Sequence, residues 1–501
     1  MFINWAVVNE MGTQPQSAPR AHTGMSDPAN SSLYAAREPI FPRDVKGKFR
    51  RLKWAILVVT LGIYYAMPWI RWDRGPELPN QAVLVDLANR RFYWIWIEIW
   101  PHEFYFVAGL LIMAGLGLFL FTSALGRVWC GYACPQTVWT DLFLLVERKV
   151  EGDRNNQLRL LKSKWTLKKV RLRMTKWTLW LLISVATGGA WVFYFADAPT
   201  LFKDLFTLNA AAVAYSTVAI LTATTFIFGG FMREQVCIYM CPWPRIQGAM
   251  MDDDTLTVAY RDWRGEPRGK KKKQKDGTPS LVGDCIACNA CVNVCPMGID
   301  IRDGQQMECI TCALCIDACD EIMARVGRDR GLIDYLALSD EPREREGNPP
   351  RSAWYHIFRV RTLLYTAIWG FFGLALVYAL FIRPAIDITV APVRNPQYVT
   401  LSDGGIRNAY DIRLRNKHGE ARAFEFQLVG DEAFTLRLEG EDDLNVLVGA
   451  DATELQRVYV VAPQGSGPAE TGRTGLRFWV QDMVSGERVY KDSLFNGKGT
   501  E

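Results

Sequence analysis

"CIACNACVNVC" at residues 285–295 and "CITCALCIDAC" at residues 309–319 carry eight of the chain's 12 cysteines. Each run has the spacing C-x2-C-x2-C-x3-C, and the first run continues into Pro296. Four soft thiolates in compact loops are typical ligands of iron–sulfur clusters, and this spacing is that of bacterial ferredoxins. The two runs therefore predict a ferredoxin-type domain with two 4Fe–4S clusters.

Ligation across the two runs is expected, because in two-cluster ferredoxins the fourth cysteine of each run binds the other cluster. The predicted ligand sets are Cys285, Cys288, Cys291 and Cys319 for one cluster and Cys309, Cys312, Cys315 and Cys295 for the other. The alternative is a pair of structural zinc sites. Such zinc sites usually come as two C-x2-C pairs held well apart, which favours the iron–sulfur interpretation.

The other four cysteines form a second pattern, C-x3-C-P, which occurs twice. It appears as "VWCGYACPQ" at residues 128–136 and as "QVCIYMCPW" at residues 235–243, each time after an apolar run. Cysteines four apart share one helical face, so Cys130, Cys134, Cys237 and Cys241 are predicted to converge into a four-thiolate site, and Cu(I) is among the metals that such ligands select. The alternative is that these thiols simply pack as small apolar side chains.

Five apolar runs indicate a membrane protein in contact with the lipid bilayer. They are residues 54–70, 104–125, 177–196, 210–232 and 362–382. Each is long enough to cross a hydrocarbon core of about 30 Å as a helix. The alternative, buried helices of a soluble protein, is disfavoured because charge-free runs of this length are rare there.

The basic residues predict the orientation of these spans. "RDVKGKFRRLK" at residues 43–53, the stretch 127–176 and "RGKKKKQK" at 268–275 fall on the side predicted to be cytoplasmic. Five spans then place everything after Arg383 outside and all the cysteines at or near the cytoplasmic face. A net charge of +5 is too small to indicate nucleic acid, and the basic clusters beside apolar runs suit lipid headgroups instead.

The predicted organisation has five parts. Residues 1–43 are expected to be disordered, 44–252 to form a four-helix membrane domain, 253–350 the cytoplasmic ferredoxin domain with its linkers, 351–383 the fifth span, and 384–501 a periplasmic domain. In this last part, segments such as "IDITVAPV" and "AFEFQLVG" alternate apolar and polar residues. That alternation predicts an immunoglobulin-like β-sandwich.

The block "GDCIACNACVNVCPMGIDIRDGQQMECITCALCIDACD" at residues 283–320, both C-x3-C-P motifs and the predicted sandwich together resemble the CcoG/FixG/RdxA family of cytochrome c oxidase accessory proteins. The resemblance extends from about residue 41 to the C-terminus. It implies a cupric reductase of the bacterial inner membrane, which converts Cu(II) to Cu(I) for assembly of a cbb-type oxidase. The implied partners are copper ions, an electron donor, copper chaperones and oxidase assembly factors.

Two other functions remain open from the sequence. C-x3-C-P motifs beside a ferredoxin module are also similar to membrane electron-relay subunits of the NapH and NosR kind, which pass quinol electrons onward. A third interpretation is a non-catalytic assembly scaffold with structural clusters. Copper reduction by the purified protein would distinguish the enzyme from both.

Overall fold

The computed structural model describes residues 39–74, 78–269, 282–441, 443–450 and 452–499. Most of the segment expected to be disordered, residues 1–43, lies outside these ranges. The following account concerns the chain from residue 42 onward.

Four helical stretches in the described chain are long and apolar enough to cross a membrane: Lys48–Trp69, Tyr105–Leu125, Ala212–Phe231 and Val360–Phe381. The remaining predicted span, residues 177–196, overlaps a 26-residue helix that runs from Leu167 to Val192. The first turns of this helix carry several Lys and Arg residues, which lower its mean hydropathy. The expected five spans are therefore four apolar helices and one long helix with a basic N-terminal part.

Ahead of the cysteine runs, the described chain forms helices α1 (Lys48–Ala66), α2 (Tyr105–Leu125), α3 (Val128–Tyr132), α4 (Pro135–Glu151), α5 (Arg154–Lys162), α6 (Leu167–Val192), α7 (Ala198–Thr207), α8 (Ala212–Phe226), α9 (Arg233–Gln235) and α10 (Trp243–Met250). Helix α6 packs against α8 and α4. At the α4 contact, the rings of Phe143 and Trp180 stack with their centroids 5.3 Å apart. The two C-x3-C-P motifs lie at the same end of this bundle, the first in α3 just beyond α2 and the second after α9, beyond α8.

Buried ion pairs hold that end of the bundle together. Asp141 of α4 lies 3.1 Å from both Arg50 and Lys53 of α1. Glu147 of α4 lies 3.0 Å from Lys176 of α6 and 2.8 Å from Arg233 of α9. Because a buried charge is costly unless it is paired, these contacts favour one arrangement of the four helices.

A small antiparallel sheet at the opposite end of the bundle was not predicted from the sequence. Strands β1 (Val83–Asp86), β2 (Arg91–Trp94) and β3 (Ile97–Ile99) follow each other between α1 and α2. The backbone N–H of Val85 donates to the carbonyl of Tyr194, just beyond α6, at 2.8 Å. These strands are only three or four residues long, so their alternation is too short to read reliably.

The ferredoxin domain is closed by two strands that come from either side of the cysteine runs. Strand β4 (Thr257–Tyr260) pairs antiparallel with β5 (Ile333–Leu336). Between them lie the helices α11 (Asp262–Gly265), α12 (Ala290–Val294) and α13 (Leu314–Arg325).

The domain is attached to the first span by Asp317. Its carboxylate accepts the backbone N–H groups of Phe49 at 3.3 Å and Arg50 at 2.8 Å, and so caps α1 from a distant part of the chain. Gly47 permits this contact, because a Cβ there would lie 2.1 Å from the Asp317 carboxyl carbon. The first span and the ferredoxin domain therefore meet through the α1 N-terminus.

The chain then passes through α14 (Glu341–Arg345) and α15 (Ala353–Ile357) into α16 (Val360–Phe381), which packs along α2. The sandwich that follows consists of β6 (Ile386–Pro392), β7 (Val399–Thr400), β8 (Ile406–Asn416), β9 (Arg422–Val429), β10 (Thr435–Leu438), β11 (Asn445–Val448), β12 (Thr453–Ala462), α17 (Gly467–Glu470), β13 (Arg473–Asp482) and β14 (Arg488–Asn496).

The predicted immunoglobulin-like sandwich is confirmed. One sheet has the order β10–β12–β8–β6, with β7 also paired to β8, and the other has the order β11–β9–β13–β14. Alternate residues of β8, such as Tyr410, Ile412 and Leu414, are fully buried between the sheets. This is the period-2 burial that the sequence pattern predicted.

The sandwich and the ferredoxin domain lie at opposite ends of α2. Glu103, next to the α2 N-terminus, is 2.8 Å from Lys417 of the sandwich and 3.3 Å from Arg383. The C-terminal end of α2 leads instead into α3 and the first C-x3-C-P motif. A helix of 21 residues separates these ends by about 32 Å, close to the thickness of a bilayer core.

Candidate iron–sulfur and thiolate sites

The two cysteine runs share an uncommon backbone conformation. Ala287 and Asn289 in the first run have φ of 55° and 57°, and Thr311 and Ala313, at the matching positions of the second, have 54° and 59°. Positive φ is rare for residues other than glycine and costs energy, so such residues concentrate at functional sites. Concave turns of this kind direct backbone N–H groups toward an anion. Both runs are thus shaped to surround a negatively charged group.

Each run lines a cavity, and the other run contributes its fourth cysteine to the same cavity. A cavity of about 20 Å³ is lined by Cys285, Cys288, Cys291 and Cys319. A second cavity, also of about 20 Å³, is lined by Cys295, Cys309, Cys312 and Cys315, and by Cys291 as well. The structure gathers the same two quartets that ligation across the runs would require. We refer to them as the first and second quartets.

The thiols within each quartet influence one another. Burial raises the pKa of Cys319 to about 12, and the neighbouring Cys291, Cys288 and Cys285 add to the rise. A thiol must lose its proton to bind a metal, so in these apolar surroundings the deprotonated form depends on bound cations.

Cys295 has the corresponding position in the second quartet. Burial raises its pKa to about 12, and the neighbouring Cys312 and Cys309 add to the rise. Cys295 of the first run therefore lies beside the second run, and Cys319 of the second run lies beside the first.

The chemistry of the donors bears on which metal group each quartet would hold. Four sulfur ligands on one zinc ion lie about 4 Å apart, since Zn–S is ~2.3 Å. In the described residues, no three Cys, His, Asp or Glu side chains are placed closely enough to hold one metal ion. A 4Fe–4S cluster places its irons at separate corners and accepts more widely spaced thiolates. The donor set and the backbone of both runs therefore fit 4Fe–4S clusters.

The two C-x3-C-P motifs also fold alike. In the first, the N–H of Cys134 donates to the carbonyl of Trp129 at 2.9 Å, and in the second the N–H of Cys241 donates to Val236 at 2.8 Å. Each bond reaches back five residues, to the residue just before the motif. Such wide π-type turns are frequent at functional sites. The motifs are thus structural as well as sequence repeats.

These motifs bring Cys130, Cys134, Cys237 and Cys241 into one group, which we call the third quartet. Burial raises the pKa of Cys237 to about 12, and the other three thiols each add to it. Burial likewise raises the pKa of Cys130 to about 11, with Cys134 and Cys241 as neighbours. The Cys130 thiol donates a hydrogen bond to Gln247 Oε1 at 3.0 Å.

The third quartet adjoins the second. A Cβ on Gly131 would lie 2.6 Å from the Ile310 carbonyl oxygen and 3.0 Å from the Cys312 Cα, so the two backbones are in direct contact. The Tyr132 hydroxyl donates to the Cys312 carbonyl at 3.2 Å. Buried Arg127, three residues before Cys130, donates to the Met307 carbonyl. The three residues bridge the membrane helices to the second quartet.

The sequence patterns did not indicate Gly131, Tyr132 or Arg127 as site residues. Gly131 and Tyr132 occupy the x positions of the first motif, which a spacing pattern ignores. For Arg127, the sequence offered one signal, which is that a charged residue follows directly after an apolar span. Only the position of the Cys312 loop reveals what these residues contact.

Three family models match this chain. A 4Fe–4S dicluster domain matches residues 232–338, and a further 4Fe–4S binding domain matches residues 106–151. The immunoglobulin-like fold at the C-terminus of FixG matches residues 376–498.

Similar proteins match over almost their full lengths. Protein RdxB of Cereibacter sphaeroides is 68% identical over 94% of this chain and 99% of its own, and Protein RdxA of the same organism is 64% identical over 91% and 96%. Nitrogen fixation protein FixG of Rhizobium meliloti is 51% identical over 93% of this chain and 94% of its own. With its two 4Fe–4S clusters, its membrane helices and its C-terminal sandwich, the chain belongs to the CcoG/FixG/RdxA family of membrane-bound iron–sulfur oxidoreductases.

Proposed function

We propose that this protein is a cupric reductase, which reduces Cu(II) to Cu(I) for assembly of a cbb-type cytochrome c oxidase. The observation that carries this proposal is a small cavity of about 20 Å³ between the membrane helices and the second quartet. The residues that line it include Cys237, Met297, Asp141 and Glu234, together with Lys53 and Arg233.

The lining of this cavity suits copper in both oxidation states. Oxygen donors accept Cu(II), whereas thiolate and thioether sulfur selects Cu(I). The Cys237 and Met297 sulfurs would therefore stabilise the product of a one-electron reduction. Accordingly, the third quartet (Cys130, Cys134, Cys237 and Cys241) is proposed to form or line the copper site.

The quartets suggest a direction for the electrons. We assign the first cluster to Cys285, Cys288, Cys291 and Cys319 and the second to Cys309, Cys312, Cys315 and Cys295. When bound, these clusters supply one-electron transfer. Cys288 is exposed, so the first quartet is accessible to an external electron donor. The second quartet lies between the first quartet and the copper cavity. The Gly131 contact places the membrane helices directly against the second quartet, so the final electron transfer to copper is short.

Copper reduction by purified full-length protein tests this proposal. The clusters are reduced anaerobically, excess reductant is removed, and Cu(II) is added while Cu(I) is captured by a selective chelator. We expect the double variant Cys130→Ser, Cys237→Ser to lose copper reduction and to keep the electron paramagnetic resonance signals of both ferredoxin-type clusters.

The exposed neighbour Met240 provides the control, since Met240→Ser should reduce copper normally. Normal copper reduction by the double variant would refute the copper-site assignment. Cluster reduction by quinol without any copper reduction would favour the electron relay instead. Normal oxidase assembly by the cysteine variants would favour the scaffold.

We also propose that the protein lies in the bacterial inner membrane with the ferredoxin domain in the cytoplasm and the sandwich in the periplasm. Basic segments at the ferredoxin end and the position of the sandwich at the far end of α2 support this orientation. The sandwich would then be available to copper chaperones or oxidase assembly factors. A reporter that is active only in the cytosol, fused after Arg383, should be silent, and activity there would contradict the proposed topology.

A further inference from the structure

The 4Fe–4S binding domain that contains the first C-x3-C-P motif has too few cysteines to bind a cluster by itself. The 4Fe–4S binding domain at residues 106–151 contains only two cysteines, Cys130 and Cys134. A cluster of this type takes four cysteine ligands, and the ferredoxin runs use their eight for two clusters of their own. The structure places Cys237 and Cys241 beside this pair. We infer that the third quartet holds a third 4Fe–4S cluster. These cysteines would then line the copper cavity rather than bind copper directly, and Met297 rather than Cys237 would supply sulfur to Cu(I).

The backbone around Cys134 repeats that of a ferredoxin ligand. Cys134 and Cys295 each precede a proline, with φ, ψ of −59°, 129° and −67°, 121°. Backbone N–H groups that follow the proline lie near each sulfur, those of Gln136 and Thr137 at Cys134 and those of Met297 and Ile299 at Cys295. N–H groups near the sulfurs stabilise cluster thiolates and tune their reduction potential.

Cys241 has the same extended conformation before Pro242, with φ, ψ of −81°, 124°. The two motifs therefore present equivalent Cys-Pro corners, one from each repeat. A cluster between two equivalent halves receives two ligands from each, as the spacing of four residues within each motif allows.

A buried cation lies beside the third quartet and suits an anionic cluster. Arg127 is 3% exposed, and its Nε has no hydrogen-bond partner among the described residues. Its charge acts on both Cys130 and Cys237. A cluster with four thiolates is anionic, and its sulfurs provide an acceptor for this donor.

Iron and acid-labile sulfide of purified full-length protein, with Mössbauer spectra of iron-57-enriched samples, test the inference. Three clusters correspond to about twelve irons per chain and two to about eight. We expect about twelve in the wild type and about eight in the double variant Cys134→Ser, Cys241→Ser, with equal losses of sulfide. Met240→Ser, which alters an exposed side chain next to Cys241, should retain about twelve.

The wild-type count is informative even if a variant fails to fold. About eight irons in fully loaded wild type, or equal iron in wild type and in a folded double variant, would overturn the third cluster. The inference does not depend on copper as the substrate. Twelve irons without copper reduction would uphold the third cluster and refute the cupric reductase, whereas eight irons with copper reduction would do the reverse.

Discussion

Replacing Cys295 with serine should remove the cluster of the second quartet and leave the cluster of the first intact. Although Cys295 belongs to the first run in sequence, it lines the second cavity with Cys309, Cys312 and Cys315. A serine hydroxyl is a poor substitute for thiolate at an iron that prefers sulfur. We expect a loss of about four irons per chain and of one resonance signal.

The matched variants identify which signal is lost. Cys309→Ser removes a second-quartet ligand and should give the same spectrum as Cys295→Ser. Cys288→Ser and Cys319→Ser should both remove the other signal, because both residues line the first cavity. If Cys295→Ser instead resembles Cys288→Ser, each run binds its own cluster and ligation across the runs is wrong.

A methyl group at Gly131 should disconnect the membrane helices from the second quartet. The new Cβ of Gly131→Ala would lie 2.6 Å from the Ile310 carbonyl oxygen, and a backbone atom cannot move aside as a side chain can. Overpacking of this kind costs about 1–3 kcal/mol. We expect a lower unfolding temperature. We also expect slower copper reduction, because the displaced Cys312 loop would lie farther from the membrane helices.

Gly115→Ala is the control for this substitution. Gly115 lies within α2, where a Cβ would meet nothing within 4 Å, so the alanine should be neutral or slightly stabilising in the helix. Both ferredoxin-type clusters should remain in either variant. Wild-type stability and wild-type copper reduction in Gly131→Ala would contradict the proposed role of this contact.

The sequence determined the features that depend on short stretches of chain. The C-x2-C-x2-C-x3-C spacing identifies a cluster-binding loop because its thiols are separated by only two or three residues. Alternation along β8 likewise predicts which side chains, such as Ile412, face the core of the sandwich. Apolar runs identify membrane helices because the bilayer sets their length, although the basic start of α6 made the count of five approximate.

Only the tertiary structure decided which distant segments meet. Cys130 and Cys237 follow different spans, and their convergence depends on how α2, α4 and α8 pack. The Asp317 cap on α1 and the contact of Gly131 with the Cys312 loop join residues far apart in sequence. No local periodicity records such contacts, because they depend on the free energy of packing whole elements rather than on the preference of any one segment. The position of the third quartet beside the second is therefore a property of the fold.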